Sequence, residues 1–300
     1  MSIVSFINFI NRQTPPAPDG KVIHWPVNVT ASFEDPGPPL DFIIPGMLSG
    51  SVGSLVAPGG AGKSMLALQL AIWLTSGADI LGFGADESCK PVAYLAAEDP
   101  KPILRQRLYA IGEALSDQQK ERVEEHLLLM HLDRVKPDLL SAAWLRELQA
   151  LAEDHHLLVL DTLRRFHSCD ENSGSEMAAL LSTLEIVSAQ TGCSVLFLHH
   201  TSKSATWNQL GDIQQASRGS SVLTDNVRWQ GYLVGMTPNE AKHYGIPAAA
   251  VRQYVRFGVS KSNYHRADHQ HWFVRGETGL LRPVELRAAN RGRRQQRAEI

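Results

Sequence analysis

Lys63 and Ser64 follow a glycine cluster in the stretch Gly53-Ser-Leu-Val-Ala-Pro-Gly-Gly-Ala-Gly-Lys-Ser-Met-Leu-Ala-Leu68, and that order of residue types suits the holding of a polyphosphate. Gly59, Gly60 and Gly62 let the backbone turn so that successive N–H groups converge on an anion. The apolar-periodic segment opened by Lys63 adds the positive end of a helix dipole. The run Gly59, Gly60, Ala61, Gly62, Lys63, Ser64 and Met65 is therefore the expected nucleotide-binding loop, with Lys63 reaching the β- and γ-phosphates of ATP or another nucleoside triphosphate and Ser64 ligating Mg²⁺. The first position of the G-x-x-x-x-G-K-[ST] pattern is Ala57, a small residue where the strict form has glycine.

A phosphate loop needs carboxylates opposite it. Asp161 closes the apolar run Leu157-Leu-Val-Leu, about 100 residues downstream of Lys63, which makes it the expected second Mg²⁺ residue, a Walker B acid. The next residue is Thr162 rather than a glutamate, so a base that activates water must come from elsewhere. Glu98 is the natural choice, because it too follows a buried strand and the carboxyl ends of parallel strands line one crevice. Asp99 is the weaker candidate, with a helix N-cap as its ordinary role. His199 and His200 follow another apolar strand and are expected to face the same crevice, where one of them could bond the γ-phosphate. An arginine offered across a subunit boundary would stabilise the transition state by a factor on the order of 10³ to 10⁵, and Arg218, Arg228, Arg256 and Lys261 are all placed late enough in the chain for that role.

The elements that must position these residues alternate. After the loop helix, about Lys63 to Leu74, strands are expected at Pro91 to Leu95, Leu127 to Leu132, Leu157 to Leu160 and Cys193 to Leu198, with helices at 101 to 115, Leu139 to Glu153 and Ser175 to Gln190. In the last of these, Met177, Leu180, Leu181, Leu184 and Val187 point inward and carry no chemistry. Beyond a polar loop, a short helix near 215 to 225 precedes strands near 227 to 236, 251 to 260 and 271 to 284 with an antiparallel look. The expected class is α/β, a mostly parallel sheet flanked by helices with antiparallel strands at the end. Residues 1 to 39 read as an arm, Ile3, Phe6, Ile7 and Ile10 at helical spacing and then seven prolines that exclude a regular helix.

Composition excludes several classes. No segment reaches the roughly 18 uninterrupted apolar residues of a membrane span, and the first ten residues lack a basic start and a cleavage site, which argues against a secretory signal. Cys89, Cys169 and Cys193 are far apart with no C-x-x-C, which points to a reducing cytoplasm and away from zinc or disulfides. His265, His269 and His271 have metal-like spacing but no acidic or thiol company, so an exposed strand or turn is the expectation. A net charge of −2 does not fit a monomer that clamps DNA over a broad face. Only the tail is basic, with Arg287, Arg291, Arg293, Arg294 and Arg297.

Taken together, Ala57 to Leu70, Tyr94-Leu-Ala-Ala-Glu-Asp-Pro100, Val159-Leu-Asp-Thr-Leu-Arg-Arg-Phe-His167, Phe197-Leu-His-His200, Gln215 to Leu223, Asp225-Asn-Val-Arg-Trp-Gln230 and Arg256 to Tyr264 closely resemble the RepA-type hexameric replicative DNA helicases of broad-host-range mobilisable plasmids. The resemblance covers about Leu40 to Tyr264 and implies a RecA-like P-loop NTPase core over 40–286, between the arm and linker of 1–39 and a basic tail of 287–300. It implies Glu98 as base, Asp161 as Walker B acid, His200 as γ-phosphate sensor, Arg228 as the finger reaching a neighbour's nucleotide and Lys261 as a second finger. It implies a homo-hexamer that moves 5′ to 3′ on single-stranded DNA, with plasmid initiator and primase proteins as partners and no membrane. Six copies of a few residues around a pore can track a single strand without making each subunit basic. The polar loop from Thr201 to Gly219, with Lys203, Gln214, Gln215 and Arg218, is the expected pore segment. Two other classes fit the loop alone: a ring ATPase acting as a DNA-binding switch or loader without unwinding, and a small-molecule kinase.

Overall fold

The computed structural model describes residues 28–132, 135–201, 221–264 and 270–289. The chain divides into two compact units, Met1–Asp41 and Phe42–Ile300. In the first, helix α1 (Val29–Glu34) is capped by Asn28, whose Oδ1 accepts from the Ala31 N–H at 3.2 Å. The prolines of this span therefore do not exclude a helix. The two that flank it stand at 26 and 36, and the nine residues between them accommodate one short helix.

The second unit is built on a nine-stranded sheet. Its strands are β3 (Val52–Ala57), β4 (Val92–Ala96), β5 (Leu127–His131), β6 (Leu157–Asp161), β7 (Ser194–His200), β8 (Trp229–Gly235), β9 (Tyr254–Ser262), β10 (Gln270–Arg275) and β11 (Leu281–Val284), in the order β11-β10-β9-β8-β3-β7-β6-β4-β5. A two-stranded ribbon, β1 (Phe42–Ile44) with β2 (Met47–Leu48), precedes it. Strands β8, β3, β7, β6, β4 and β5 are all mutually parallel. The stretch near 227 to 236 is thus a parallel strand, and the antiparallel part begins only at β9. The segment 271 to 284 is a hairpin of two strands, turning at Gly276, whose N–H donates to the Leu280 carbonyl at 2.9 Å.

Side chains alternate across this sheet as the two-residue period requires. Val92, Tyr94, Ala96, Leu157, Val159, Leu196 and Leu198 pack on one face against α2 (Lys63–Ser76) and α3 (Lys101–Gly112). Ala93, Leu95, Leu158, Leu160, Val195 and Phe197 pack on the other against α5 (Ala142–Glu153) and α6 (Gly174–Thr191). Because both faces are covered, these strands read as continuous apolar runs rather than alternating ones. Met177, Leu180, Leu181, Leu184 and Val187 of α6 are buried as their spacing predicts. The polar helix α4 (Asp117–His126), between α3 and β5, has no buried residue and gives no apolar periodicity to read. It is held at its start by a reciprocal cap, Ser116 with Gln119.

Helix α2 is buried on nearly all sides, so its polar residues must find partners inside. Thr75 and Ser76 turn their hydroxyls back to the carbonyls of Ala71 and Ile72. Gln69 meets the backbone of Leu281 in β11 in both directions, its Nε2 donating to the carbonyl at 2.8 Å and its Oε1 accepting the N–H at 3.0 Å. This amide fastens the β10–β11 hairpin to the loop helix. Gln69→Leu should strip two buried backbone groups of their partners and lower stability by about 1–3 kcal/mol. Urea unfolding should show a reduced midpoint at unchanged slope.

Candidate nucleotide site

Strand β3 ends at Ala57 in the middle of the sheet, and the loop that follows turns on Gly60 and Gly62, with φ of 76° and 100°. Gly62 is the N-cap of α2 and offers no side chain to its first turn, so those amides stay available to a ligand. The Lys63 side chain lies at the base of a cavity of about 330 Å³. Gly60, Gly62, Ser64, Met65, Glu98 and His200 line the same cavity, together with Asp99, Arg107, Arg275 and Thr278.

The sheet delivers the carboxylates to this place. β6 carries Asp161 to its end, where Oδ1 accepts from Ser64 Oγ at 3.0 Å and Oδ2 accepts from the Tyr94 hydroxyl at 2.7 Å. Burial pushes the Asp161 carboxyl up from its usual range, opposed by the Tyr94 hydrogen bond, Lys63 and Ser64. Burial likewise lowers the Lys63 ammonium, opposed by Asp161, Glu98 and Asp99. Lys63 and Asp161 thus each oppose the other's loss of charge in a poorly solvated place. A hydroxyl and a carboxylate side by side are hard oxygen donors of the kind Mg²⁺ takes, and Ser64 and Asp161 fit the ion.

Glu98 follows β4, and its Oε1 lies 3.6 Å from His200 Nε2. The two histidines do not share the crevice. Alternation places His200 in the cavity, whereas His199 turns to the other face of the sheet, where burial first, then His200, Lys63 and His167, hold its pKa down to about 4. Asp99 is not the helix cap either. Pro100 takes that position, and Asp99 forms a two-point ion pair with Arg107, about two turns into the helix.

Arg228 and Lys261 are not brought into the cavity. The Arg228 N–H donates to the carbonyl of Val52 at 3.4 Å, at the beginning of β3, while the phosphate loop leaves its end. Six residues of strand separate the two places by about 17–20 Å. Lys261 Nζ donates to the Asp225 carbonyl at 2.7 Å, and its pKa is lowered by burial and by the neighbouring Arg228 against the pull of Asp225. Arg256, another arginine considered for the finger, is buried against Trp272 and paired with Glu240 at 2.8 Å, a structural role. Lys203, Gln214, Gln215, Arg218, the apolar start of the arm, His265, His269 and Arg291 to Arg297 lie outside the described residues. His271 packs edge-on against Phe83, 4.6 Å between ring centres. Among the described residues no helix is long and apolar enough to cross a membrane.

The model of a family described as "AAA domain" matches residues 21–206, which takes in the phosphate loop, Glu98, Asp161 and both histidines. The chain belongs to this AAA domain family. Within the family's P-loop framework its fold is RecA-like. It is similar to a solved structure described as an ATPase domain, with a TM-score of 0.55 at 14% identity over 94% of this chain and 97% of that one. The crystal structure of the RadB recombinase gives a TM-score of 0.48 at 17% identity over 79% and 92%. Arg275 and the β10–β11 turn, which touch the phosphate loop and Met65, lie beyond the matched segment. The sequence reading missed them, since Arg275 ends an ordinary strand and no motif marks it.

The lowered His199 pKa has a stability consequence. Between its unfolded value of 6.5 and about 4 the unfolded chain binds a proton that the folded chain refuses, so stability falls as pH drops through this window. The contribution is on the order of 3 kcal/mol. His199→Gln should flatten that part of the acid limb in unfolding measurements between pH 7 and pH 4.

Proposed function

We propose that this chain is a RepA-type replicative DNA helicase: a homo-hexameric ring that hydrolyses ATP with Mg²⁺ between subunits and moves 5′ to 3′ along single-stranded DNA in plasmid replication in the cytoplasm. The observation that carries the reading is the division of the machinery between the two ends of the sheet. Lys63, Ser64, Glu98, Asp161 and His200 gather at one end, while Arg228 and Lys261 stand at the other, too far to serve the same subunit's phosphates. A ring of such subunits sets the cationic end of each against the phosphate loop of the next.

In that arrangement the loop amides and Lys63 hold the phosphate chain, and Ser64 and Asp161 hold Mg²⁺, which supplies charge neutralisation when bound. Glu98 takes the proton of the attacking water. His200, 3.6 Å from Glu98, is the group that registers the γ-phosphate. The N–H of Thr201 donates to the Ala57 carbonyl at 3.1 Å, so the segment leaving His200 is tied to the first residue of the phosphate loop. This supports Thr201 to Gly219, with Lys203, Gln214, Gln215 and Arg218, as the DNA-contacting segment. Initiator and primase proteins of the plasmid would be the natural partners.

Lys63→Ala should abolish hydrolysis. Arg228→Ala should remove hydrolysis while leaving nucleotide binding and the ring intact. Mixing inactive Arg228→Ala and Glu98→Gln subunits in equal amounts should restore part of the ATPase rate, because some interfaces of a mixed ring contain both native residues. No recovery at any ratio would count against catalysis between subunits. Forked-duplex unwinding decides between helicase and loader: a DNA-stimulated hexameric ATPase that never separates strands is a switch or loader.

A further inference from the structure

Arg275 closes β10 beside the phosphate loop and points its guanidinium at two of the loop's carbonyls. Nη1 donates to the Gly60 carbonyl at 3.2 Å, and Nη2 donates to the Ala61 carbonyl. The guanidinium lies over Gly62, with Nη2 3.6 Å from where a side chain at that glycine would begin. Nε is buried with no partner, so the side chain is drawn into this position by its two end nitrogens. The hairpin that carries it is held from behind by Gln69, and at its turn Gly279 stands within 3.8 Å of the Met65 methyl, measured from the position of an added Cβ.

The consequence follows from peptide geometry. A carbonyl and the N–H of the next residue point in opposite directions across one rigid plane. Fixing the Ala61 carbonyl on the guanidinium turns the N–H of Gly62 away from Arg275. Fixing the Gly60 carbonyl sets the preceding plane, whose N–H, that of Ala61, closes the turn onto the Pro58 carbonyl at 3.2 Å. Glycines at 59, 60 and 62 leave these planes free to rotate unless something outside the loop holds them. Building on the nucleotide reading above, we propose that Arg275 is a positioning residue for the phosphate loop. It holds the Ala61–Gly62 peptide in the orientation that receives a polyphosphate chain and the Gly60–Ala61 peptide in the turn that closes onto Pro58, and it makes the β10–β11 hairpin part of the nucleotide site. The ligand it serves is the phosphate chain, whatever base is attached.

The test measures binding of ATP, ADP and inorganic tripolyphosphate, each with Mg²⁺, to the full chain as wild type, Arg275→Ala, Arg275→Lys and Lys63→Ala. Two charge-assisted hydrogen bonds to the loop predict a loss of about 10- to 100-fold in Arg275→Ala. The loss should be shared by all three ligands, and KM for ATP should rise by a larger factor than kcat falls. Arg275→Lys, which keeps the charge but can reach one carbonyl at a time, should fall between. Wild-type affinity for tripolyphosphate in a folded Arg275→Ala would overturn the proposal. Weakening confined to ATP and ADP would overturn it as well, by assigning Arg275 to the nucleoside. If Arg275→Ala does not fold, Arg275→Lys decides by the same comparison, an unchanged tripolyphosphate affinity being the overturning result. A wild-type chain that binds none of the three, indistinguishable from Lys63→Ala, refutes the nucleotide reading itself and this inference with it.

Discussion

A lysine only 4% exposed, Lys63, sits at the first turn of a helix that is itself buried. Such a charge persists inside a protein only where opposite charge faces it, and here three carboxylates do: Asp161, Glu98 and Asp99. Much of the architecture serves that balance. The parallel strands β4 and β6 end on the same side of the sheet as β3, and the carboxylates facing Lys63 come from their ends, Asp161 from β6 and Glu98 and Asp99 from the turn after β4. The acids that would assist the loop's chemistry therefore also balance its lysine. A bound polyphosphate brings negative charge of its own, and the acids then require a cation between themselves and the ligand.

The two-residue period of the strands divides labour at the end of β7. His200 and His199 are adjacent, yet one meets Glu98 in the cavity and the other meets the region of His167 beneath the sheet. The neutral state of His199 is enforced by burial, not by a hydrogen-bonding acid. The same period puts Tyr94 on the face of α2, where its hydroxyl bonds Asp161 and lies 3.3 Å from the carbonyl of Ser64. That one phenol links the strand carrying Glu98 to both proposed Mg²⁺ residues.

The parallel strands were legible because burial on both faces makes them uninterrupted apolar runs, and the phosphate loop because few other tasks need glycines, a lysine and a serine in that order. Strand direction was less legible. β8 carries the same apolar signal whether it runs with β3 or against it, and only the pairing of Gly53 with Trp229 through Val56 with Tyr232 settles the matter. Asp99 looked like a cap because it precedes a helix, but the proline between them occupies the cap and frees the carboxylate for Arg107. Helix α4 left no pattern because Val123 is its one apolar residue packed against the core, and it is only partly buried. Arg275 was hidden for another reason: its partners are main-chain carbonyls, and a side chain that recognises backbone leaves no matching residue type elsewhere in the sequence.

The fastening of the β10–β11 hairpin has a bearing on how the protein is made. Gln69 and Leu281 are 212 residues apart, and Arg275 reaches Ala61 across 214. A growing chain emerges from its amino end, so the phosphate loop and α2 must wait for almost the whole of the second unit before their outer wall arrives. During that interval the Gln69 amide and the apolar flank of α2 have no sheet edge to meet, and contacts of such span form late because the intervening chain must first be ordered. Assembly of the nucleotide pocket is thus coupled to completion of the domain, and a partly synthesised subunit has no finished pocket with which to engage nucleotide.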